Sequence, residues 1–187
     1  MNRMRLIHSA LVVCLLLTTA CSRSAPQFRG KVIGIIDGDT IKVLVGKEEL
    51  IVRLEGIDAP ESKQTFGNQS KQSLSRIVFG REVLIQYVTE DRAGRTVGIA
   101  MLDGTDVNAK MIEDGWAWHY KDYTDHPHLA ELERRAKSSK RGLWHDPNPL
   151  PPWEFRARQK REQGEPPTLF WLNTSSKGAF PFCVSKC

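Results

Sequence analysis

The chain has 187 residues, of which 40% are hydrophobic and 26% charged, and its formal net charge at pH 7 is +5. This composition is typical of a soluble, globular protein, and the length corresponds to one ordinary domain with extra segments. The chain is long enough to bury a hydrophobic core. The positive balance favours anionic partners, although many basic proteins bind no nucleic acid.

The first residues have the features of a secretory signal peptide, predicted over residues 1–20. Two arginines precede an apolar run at residues 11–17, which is short for a membrane span. Small residues then precede Cys21, and this stretch resembles a bacterial lipobox, with its leucine one place further from the cysteine than usual. Cys21 is therefore either acylated, which anchors an envelope lipoprotein to the membrane, or simply the first residue of a secreted protein. Residues 21–28 would form a tether.

Short apolar segments separated by turn residues predict a β-rich domain. The Asp37-Gly38-Asp39 turn joins the first two strands into a hairpin, because Asp-Gly is a strong turn sequence. Pro60 ends the extended pairing that follows the third strand, since proline has no N–H to donate. The five predicted strands span residues 31–36, 40–45, 50–54, 82–88 and 97–102.

Three segments with apolar residues at helical spacing follow or interrupt these strands. They begin near residues 68, 107 and 129 and end at Gly80, Gly115 and Gly142. Five short strands with helices inserted late predict a small β-barrel with helices on one side, an α+β fold, rather than alternating βαβ units. A proline-rich arm at residues 148–153 then leads to a short basic helix, and residues 162–168 have the composition of a linker.

Acidic residues cluster where the predicted strands end. Asp39 follows the hairpin turn and Asp58 follows the third strand, so neighbouring strands would bring both carboxylates to one ion. Calcium accepts a flexible mixture of carboxylate, carbonyl and water oxygens. Asp37 and Glu61 are near enough in sequence to bind the ion directly or to contact the groups that bind it. These acids predict a calcium site assembled by the fold.

Two arginines lie close to the same predicted strand ends. Arg53 is on the third strand and Arg95 follows a turn, and a guanidinium can hold two phosphoryl oxygens at once. Glu61 is the best-placed carboxylate to activate a water. Taken singly, each residue is typical of a turn or a solvated surface. Taken together, they indicate a metal-assisted reaction on a phosphodiester, in which negative charge builds up on the phosphoryl oxygens.

Four motifs, "IDGDTIKV", "VRLEGIDAPES", "DRAGRTVGIAML" and "RGLWHDPNP", resemble the staphylococcal nuclease (thermonuclease) family in order and separation. The resemblance covers about residues 29–155. It implies a five-stranded OB-fold barrel with about three helices as the nuclease domain, over residues 29–160. It also implies a calcium-dependent nuclease that acts on DNA, RNA or both.

Carried over position by position, the resemblance assigns roles to the acidic cluster. It implies that the carboxylates of Asp39 and Asp58 bind calcium. At Ala59 the family uses a backbone carbonyl as the ligand, so the side chain at that position need not matter.

The resemblance also implies the chemistry. Arg53 and Arg95 match two phosphate-binding arginines, and Glu61 matches the proposed general base. The activated water attacks phosphorus, the P–O5′ bond breaks with help from Arg95, and the products carry 3′-phosphate and 5′-hydroxyl ends. Ala93 stands where the founding member has a tyrosine, which should weaken or alter the grip on substrate without removing the reaction.

Aromatic residues near the third helix offer a place for a base. Tyr120 and Tyr123 could stack on a base or could line the rim of the core. We expect Trp116 and Trp118 in the core. Glu55 matches no role in the family and is predicted to be an ordinary surface acid.

The last stretch, residues 161–187, has no assigned chemistry. Only "WLNTSS" resembles a tail found on some bacterial members of the family. Cys183 and Cys187 could form a disulfide in an exported protein, and two cysteines alone make a poor zinc site.

Three hypotheses remain. The first is an exported nuclease, which we expect to be a monomer. The others are a non-catalytic OB-type module that binds nucleic acid at the envelope and a structural envelope lipoprotein. Retention of all the acids and arginines favours the first, because binding alone needs neither a base nor a metal.

Overall fold

The computed structural model describes residues 26–121 and 126–164 of the chain. The predicted signal peptide, Cys21, Tyr123 and the last two cysteines lie outside the described residues. In the described ranges, no helix is both long enough and apolar enough to span a membrane. The chain divides into two compact units, Met1–Pro149 and Leu150–Cys187.

Among the described residues of the first unit, eight strands form the β-structure. They are β1 (Gln27–Ile35), β2 (Thr40–Val45), β3 (Glu48–Leu54), β4 (Ile57–Asp58), β5 (Glu82–Glu90), β6 (Thr96–Leu102), β7 (Thr105–Asp106) and β8 (Trp118–His119). The main sheet has the order β3-β2-β1-β5-β6-β7, and an additional pairing of β3 with β6 closes it. The result is a closed five-stranded barrel, which confirms the predicted OB-type α+β fold.

The helices also follow the predicted order. They are α1 (Gly67–Val78), α2 (Val107–Glu113), α3 (Pro127–Ser138), a 3-10 helix (Gly142–His145) and α4 (Pro152–Glu162). The side chain of Asp106 caps α2 by accepting a hydrogen bond from the N–H of Ala109 at 2.9 Å. Prolines begin α3 and α4, where a missing N–H has no cost. Helix α4 is the short basic helix predicted after the proline-rich arm.

The barrel core comes from strand residues that alternate between interior and solvent. In β2, Ile41 and Val43 are fully buried whereas Lys42 between them is exposed. Leu74 and Val78 of α1 and Met111 of α2 add fully buried side chains to the same cluster. Burying these apolar surfaces is the main favourable term for a barrel of this size.

The ladder between β2 and β3 brings Asp39 and Arg53 close together. Thr40, directly after Asp39, pairs with Arg53 in the antiparallel ladder of β2 and β3. The N–H of Leu54 donates to the carbonyl of Asp39 at 2.7 Å. The β1–β2 turn is thereby fixed against the end of β3, from which the chain continues into β4 and Asp58.

Candidate active site

The tight β1–β2 turn holds Asp39 at the end of the barrel. The N–H of Asp39 donates to Asp37 Oδ1 at 3.1 Å, and the hydroxyl of Thr40 donates to Asp39 Oδ1 at 2.9 Å. Gly38 packs so closely that a Cβ there would lie 1.9 Å from Ser70 Oγ. Only glycine fits at this position, so the turn and helix α1 can approach each other. Asp39 is consequently 4% exposed.

Arg53 joins the two predicted calcium aspartates. Its Nη1 lies 2.7 Å from Asp39 Oδ2, and its Nη2 donates to Asp58 Oδ1 at 3.0 Å. The arginine side chain is 15% exposed, whereas those of Asp39 and Asp58 are 6% and 1% exposed. One planar guanidinium thus contacts two buried carboxylates, a geometry that a lysine could not reproduce. The structure brings these three predicted residues together.

Ala59 completes this cluster through its backbone. Its N–H donates to Asp39 Oδ2 at 2.6 Å, so the peptide of Ala59 lies against the carboxylate from the hairpin turn. Burial raises the pKa of Asp39 well above its ordinary range; the Arg53 guanidinium opposes this shift, and Asp37 and Asp58 reinforce it. A cation bound beside Asp39 would oppose this shift, because it would favour the charged form of the carboxyl.

The donor atoms at the cluster suit a hard cation. Within residues 26–121 and 126–164, no three or more His, Cys, Asp or Glu side chains are arranged as a metal site. A cation here would instead use the carboxylates of Asp39 and Asp58, the carbonyl of Ala59, and oxygens from water or substrate. Such an all-oxygen mixture with few carboxylates fits calcium and does not fit zinc, which prefers nitrogen and sulfur ligands.

Arg95 lies in the turn between β5 and β6 and is held there by Asp91. Its Nε donates to Asp91 Oδ2 at 2.6 Å, and the N–H groups of Ala93 and Arg95 donate to Asp91 Oδ1 at 2.9 and 3.0 Å. These bonds, the one from the Arg95 N–H above all, lower the pKa of Asp91. Strand β6 runs parallel to β3, and Val97 lies opposite Arg53. The backbone of Arg95, two residues before Val97, therefore lies near the strand that carries Arg53.

Glu61 lies in the loop between β4 and α1. Its N–H donates to Gln64 Oε1 at 3.2 Å, and its carbonyl accepts from the Gln64 N–H at 2.8 Å. The start of α1 packs against the same carbonyl, because a Cβ on Gly67 would lie 2.0 Å from the Glu61 oxygen. The backbone of Glu61 is therefore fixed three residues after Asp58, and its half-buried side chain can reach water.

A two-stranded ladder of β4 and β8 places aromatic residues beside the acids. Trp118 pairs with Asp58, and the N–H of Tyr120 donates to the carbonyl of Gly56 at 2.9 Å. Tyr120 is thus close to the site through its backbone, whereas Tyr123 lies outside the described residues. Trp116 packs against both hydrophobic clusters and Trp118 against the second. Both rings are partly buried, so they lie at the edge of the core in which we expected them.

The prediction that Glu55 is an ordinary surface acid is wrong. Glu55 is 9% exposed, and its N–H donates to the carbonyl of Gly98 at 2.9 Å. Its carboxylate lies 3.7 Å from His126 Nε2. The segment between Arg53 and Asp58 is buried because Glu55 continues the pairing of β3 with β6.

Sequence reasoning missed the buried Asn108, which ties this segment down. Its Nδ2 donates to the carbonyls of Glu55 and Gly98 at 2.9 and 3.3 Å, and its Oδ1 accepts from the N–H of Ala100 at 3.1 Å. Asn108 is 1% exposed and satisfies three backbone groups. A polar residue inside the apolar face of a predicted helix was the feature that could have revealed it.

The fold and the cluster together define a class of protein. OB-type barrels bind oligonucleotides and oligosaccharides, and a guanidinium fixed among carboxylates adds groups that phosphate chemistry uses. The family model for staphylococcal nuclease homologues matches residues 51–146. The chain belongs to the staphylococcal nuclease family and is a nuclease, a hydrolase whose substrate is nucleic acid. Nucleases of this family depend on a metal ion.

Individual relatives agree with the family match. The chain is 41% identical over 134 residues to an uncharacterised endonuclease of Escherichia coli O157:H7, covering 71% of this chain and 88% of the relative. It is 41% identical over 146 residues to a micrococcal nuclease of Shigella flexneri, covering 72% and 83%. An uncharacterised endonuclease of Haemophilus influenzae is 37% identical over 160 residues, covering 85% and 88%. These relatives disfavour the alternatives of a non-catalytic binding module and a structural lipoprotein.

Proposed function

We propose that the protein is a calcium-dependent nuclease that hydrolyses phosphodiester bonds of DNA, RNA or both. It breaks the P–O5′ bond and leaves 3′-phosphate and 5′-hydroxyl ends. The observation that carries this proposal is the position of Arg53, whose guanidinium contacts the buried carboxylates of Asp39 and Asp58. Such a cluster pairs a phosphate-binding group with oxygen donors for a cation, and phosphodiester cleavage needs both.

In this proposal, Asp39, Asp58 and the backbone carbonyl of Ala59 hold calcium, and Asp37 supports them by fixing the turn through its bond to the Asp39 N–H. When bound, calcium supplies positive charge to the phosphoryl oxygens. A bound cation would stabilise the charged form of these buried carboxylates, because little water is available to do so.

The remaining steps belong to the two arginines and Glu61. Arg53 and Arg95 donate hydrogen bonds to the non-bridging oxygens of the phosphate, where charge grows in the transition state. Glu61 accepts a proton from a water whose oxygen forms the new bond to phosphorus. The bond from phosphorus to O5′ breaks as this bond forms, and Arg95 stabilises the leaving oxygen until it is protonated.

Tyr120 is the candidate for contact with a base, since its backbone is bonded to Gly56 beside the acidic cluster. Base stacking on an aromatic ring is tolerant of sequence. Tyr123 is proposed for the same role from its position in the sequence. Ala93, in the turn beside Arg95, offers no ring or hydroxyl to the substrate, so binding relies on the arginines and these tyrosines.

The location of the protein is a separate proposal, based on the first residues. We propose that it is exported and acts as a monomer, with Cys21 either acylated at the cell envelope or at the start of a secreted chain. Mass measurement of the N-terminus distinguishes the two, because acylation adds the mass of its lipid. An N-terminus that still carries residues 1–20 would contradict export with cleavage.

The roles within the site are tested by Glu61→Gln, with Glu48→Gln as the matched control. Glu48 is exposed at the opposite end of the β2–β3 hairpin from Arg53, where it pairs with Val45. Loss of a general base is expected to lower the cleavage rate about 10²- to 10⁴-fold. Oligonucleotide affinity should stay within about twofold, because binding relies on the arginines. If rate and affinity fell together, Glu61 would be a binding or structural residue.

A further inference from the structure

We propose that the basic end of α3, formed by Lys137, Lys140 and Arg141, binds backbone phosphates of the substrate strand outside the cleavage site. This inference rests on the proposed function, since it takes the substrate to be a polynucleotide. It assigns the protein a second binding surface, which makes long substrates bind more tightly than short ones.

The first observation is the charge of this segment. Helix α3 buries Leu129, Leu132 and Ala136, and its last turn and the residues after it expose cations to solvent. Further back along the helix, Glu131 bonds both Arg134 and Arg135 at 2.7 Å and balances part of their charge.

Lys137, the first cation of the surface, is paired with Glu133 Oε2 at 2.9 Å, so most of the unbalanced charge comes from Lys140 and Arg141. In the part of the chain that the structure describes, no carboxylate lies within 4.0 Å of Lys140 or Arg141. The side chain of Arg141 donates to the backbone carbonyl of Glu113 at 3.1 Å, which leaves its positive charge without a carboxylate partner among the described residues. The chain therefore presents two exposed positive charges side by side at the turn that ends α3.

The second observation is that this surface is continuous with the catalytic cluster. Lys137 Nζ lies 5.2 Å from the ring centroid of Trp118 and 4.4 Å from that of Trp144, which packs edge-on against Trp118 at 4.3 Å. Trp118 is the residue that pairs with Asp58. The backbone of Asp58 is thus paired with that of Trp118, whose ring lies near Lys137, and Lys140 follows three residues later in the turn after α3.

The backbone supports the same continuity from the other side. Ser70, which packs against the Asp37–Asp39 turn, donates its hydroxyl to the carbonyl of Trp116 at 2.7 Å. The N–H of Leu143 then donates to the carbonyl of Gly115 at 2.8 Å, which fixes the turn that carries Lys140 and Arg141. The basic surface is therefore held in place relative to the site.

A polynucleotide matches this surface in chemistry and in length. A strand bound at Arg53 carries a phosphate at every nucleotide and continues away from the cleaved bond. Exposed lysine and arginine neutralise such phosphates and release counterions, which stabilises binding most at low salt. An aromatic ring beside cations is the usual combination for a single strand. An anionic membrane would also attract these cations, but it has no reason to adjoin the catalytic acids.

The test compares Lys140→Glu and Lys140→Glu/Arg141→Glu with the control Lys31→Glu/Lys47→Glu. Lys31 and Lys47 are exposed, and Lys47 lies in the β2–β3 turn at the far end of the hairpin from Arg53. The double variant and the control change the net charge equally. Affinity for a single strand of about 20 nucleotides, longer than one OB fold covers, is measured by fluorescence anisotropy in chelator over a range of salt. Cleavage of a dinucleotide is measured with calcium.

We expect the double variant to bind the long strand at least about tenfold more weakly at low salt. The slope of log affinity against log salt should become shallower by about 0.7 for each phosphate that the protein no longer neutralises. Lys140→Glu alone should lose part of this affinity. Because it breaks no hydrogen bond made by the Lys140 side chain, this single variant keeps the test valid if the double variant folds poorly. Dinucleotide kcat/KM should stay within about twofold, because a dinucleotide does not reach this surface.

Three results would overturn the proposal: unchanged long-strand affinity in both variants, an equal loss in the control, or a dinucleotide kcat/KM that falls as much as long-strand affinity. A fourth is a loss of binding to phosphatidylglycerol vesicles with oligonucleotide binding intact, which would assign the surface to a membrane. Because the binding arm needs no cleavage, a wild-type protein that cuts neither substrate would contradict the proposed function and leave the result for this surface standing.

Discussion

Arg53 is the residue whose replacement should reveal most about how the site is held together. Its guanidinium lies 2.7 Å from Asp39 and 3.0 Å from Asp58, and the three side chains are 15%, 6% and 1% exposed. Arg53→Gln removes the cation and leaves two carboxylates in a poorly solvated place. We therefore expect this variant to lose stability as well as activity.

The size of the loss follows from burial. Removing one partner of a buried ion pair costs about 3–5 kcal/mol, because the remaining charge is left without compensation. That is a large share of the ~5–15 kcal/mol by which domains are usually stable. Cleavage should fall about 10²- to 10³-fold, the usual effect of losing one group that stabilises transition-state charge. The stability and the cleavage rate of Arg53→Lys should lie between those of the wild type and Arg53→Gln, since lysine keeps the charge but cannot form the bidentate contacts.

Urea unfolding in chelator measures the stability, and kcat/KM with calcium measures the activity. Arg134→Gln is the control, because the bond of Arg134 to Glu131 is exposed and should contribute little. Added calcium should recover more stability in Arg53→Gln than in the wild type, since it restores positive charge between Asp39 and Asp58. If Arg53→Gln unfolded at the same urea concentration as Arg134→Gln, Arg53 would not be needed to compensate the buried carboxylates.

Two substitutions and one titration test separate parts of the site. Gly67→Ala should lower kcat with oligonucleotide affinity unchanged, because a Cβ 2.0 Å from the Glu61 carbonyl must displace the general base; unchanged kcat would contradict this. Asn108→Ala should cost about 1–3 kcal/mol in urea unfolding for each backbone group left unpaired, and a loss below this range would show that Asn108 is not needed. Carboxyl NMR should give Asp91 a pKa below that of an ordinary aspartate, because N–H groups of Arg95 favour its charged form, and an ordinary value would contradict the Asp91–Arg95 pairing.

The parts of the fold that depend on neighbours in sequence could be predicted. Apolar residues at positions 41, 43 and 45 alternate as a half-buried strand does, and the structure has β2 at Thr40–Val45. The Asp37-Gly38-Asp39 turn could be placed because its residue types form turns locally. The approach of Asp39, Asp58 and Arg53 to one another could be anticipated from the predicted strand ends, whereas the contact of Arg53 with both carboxylates could not.

Features that arise from distant segments could not be predicted from local patterns. The pairing of β4 with β8 involves two residues on each side, too few for any periodicity, so the place of Trp118 opposite Asp58 was not foreseen. The burial of Glu55 depends on the parallel pairing of β3 with β6, which the hydrogen bond from the Glu55 N–H to the Gly98 carbonyl extends by one residue. The charge of a residue does not reveal whether tertiary structure will cover it.

Calcium-dependent cleavage at P–O5′ is tested by analysis of the product ends. The mature protein is incubated with single-stranded and duplex DNA and with RNA, once with calcium and once with chelator. We expect cleavage only in the reaction with calcium, on at least one of these substrates, and products that a polynucleotide kinase labels at the 5′ end without prior phosphatase treatment. Products with 5′-phosphate and 3′-hydroxyl ends, or equal cleavage in chelator, would contradict this expectation.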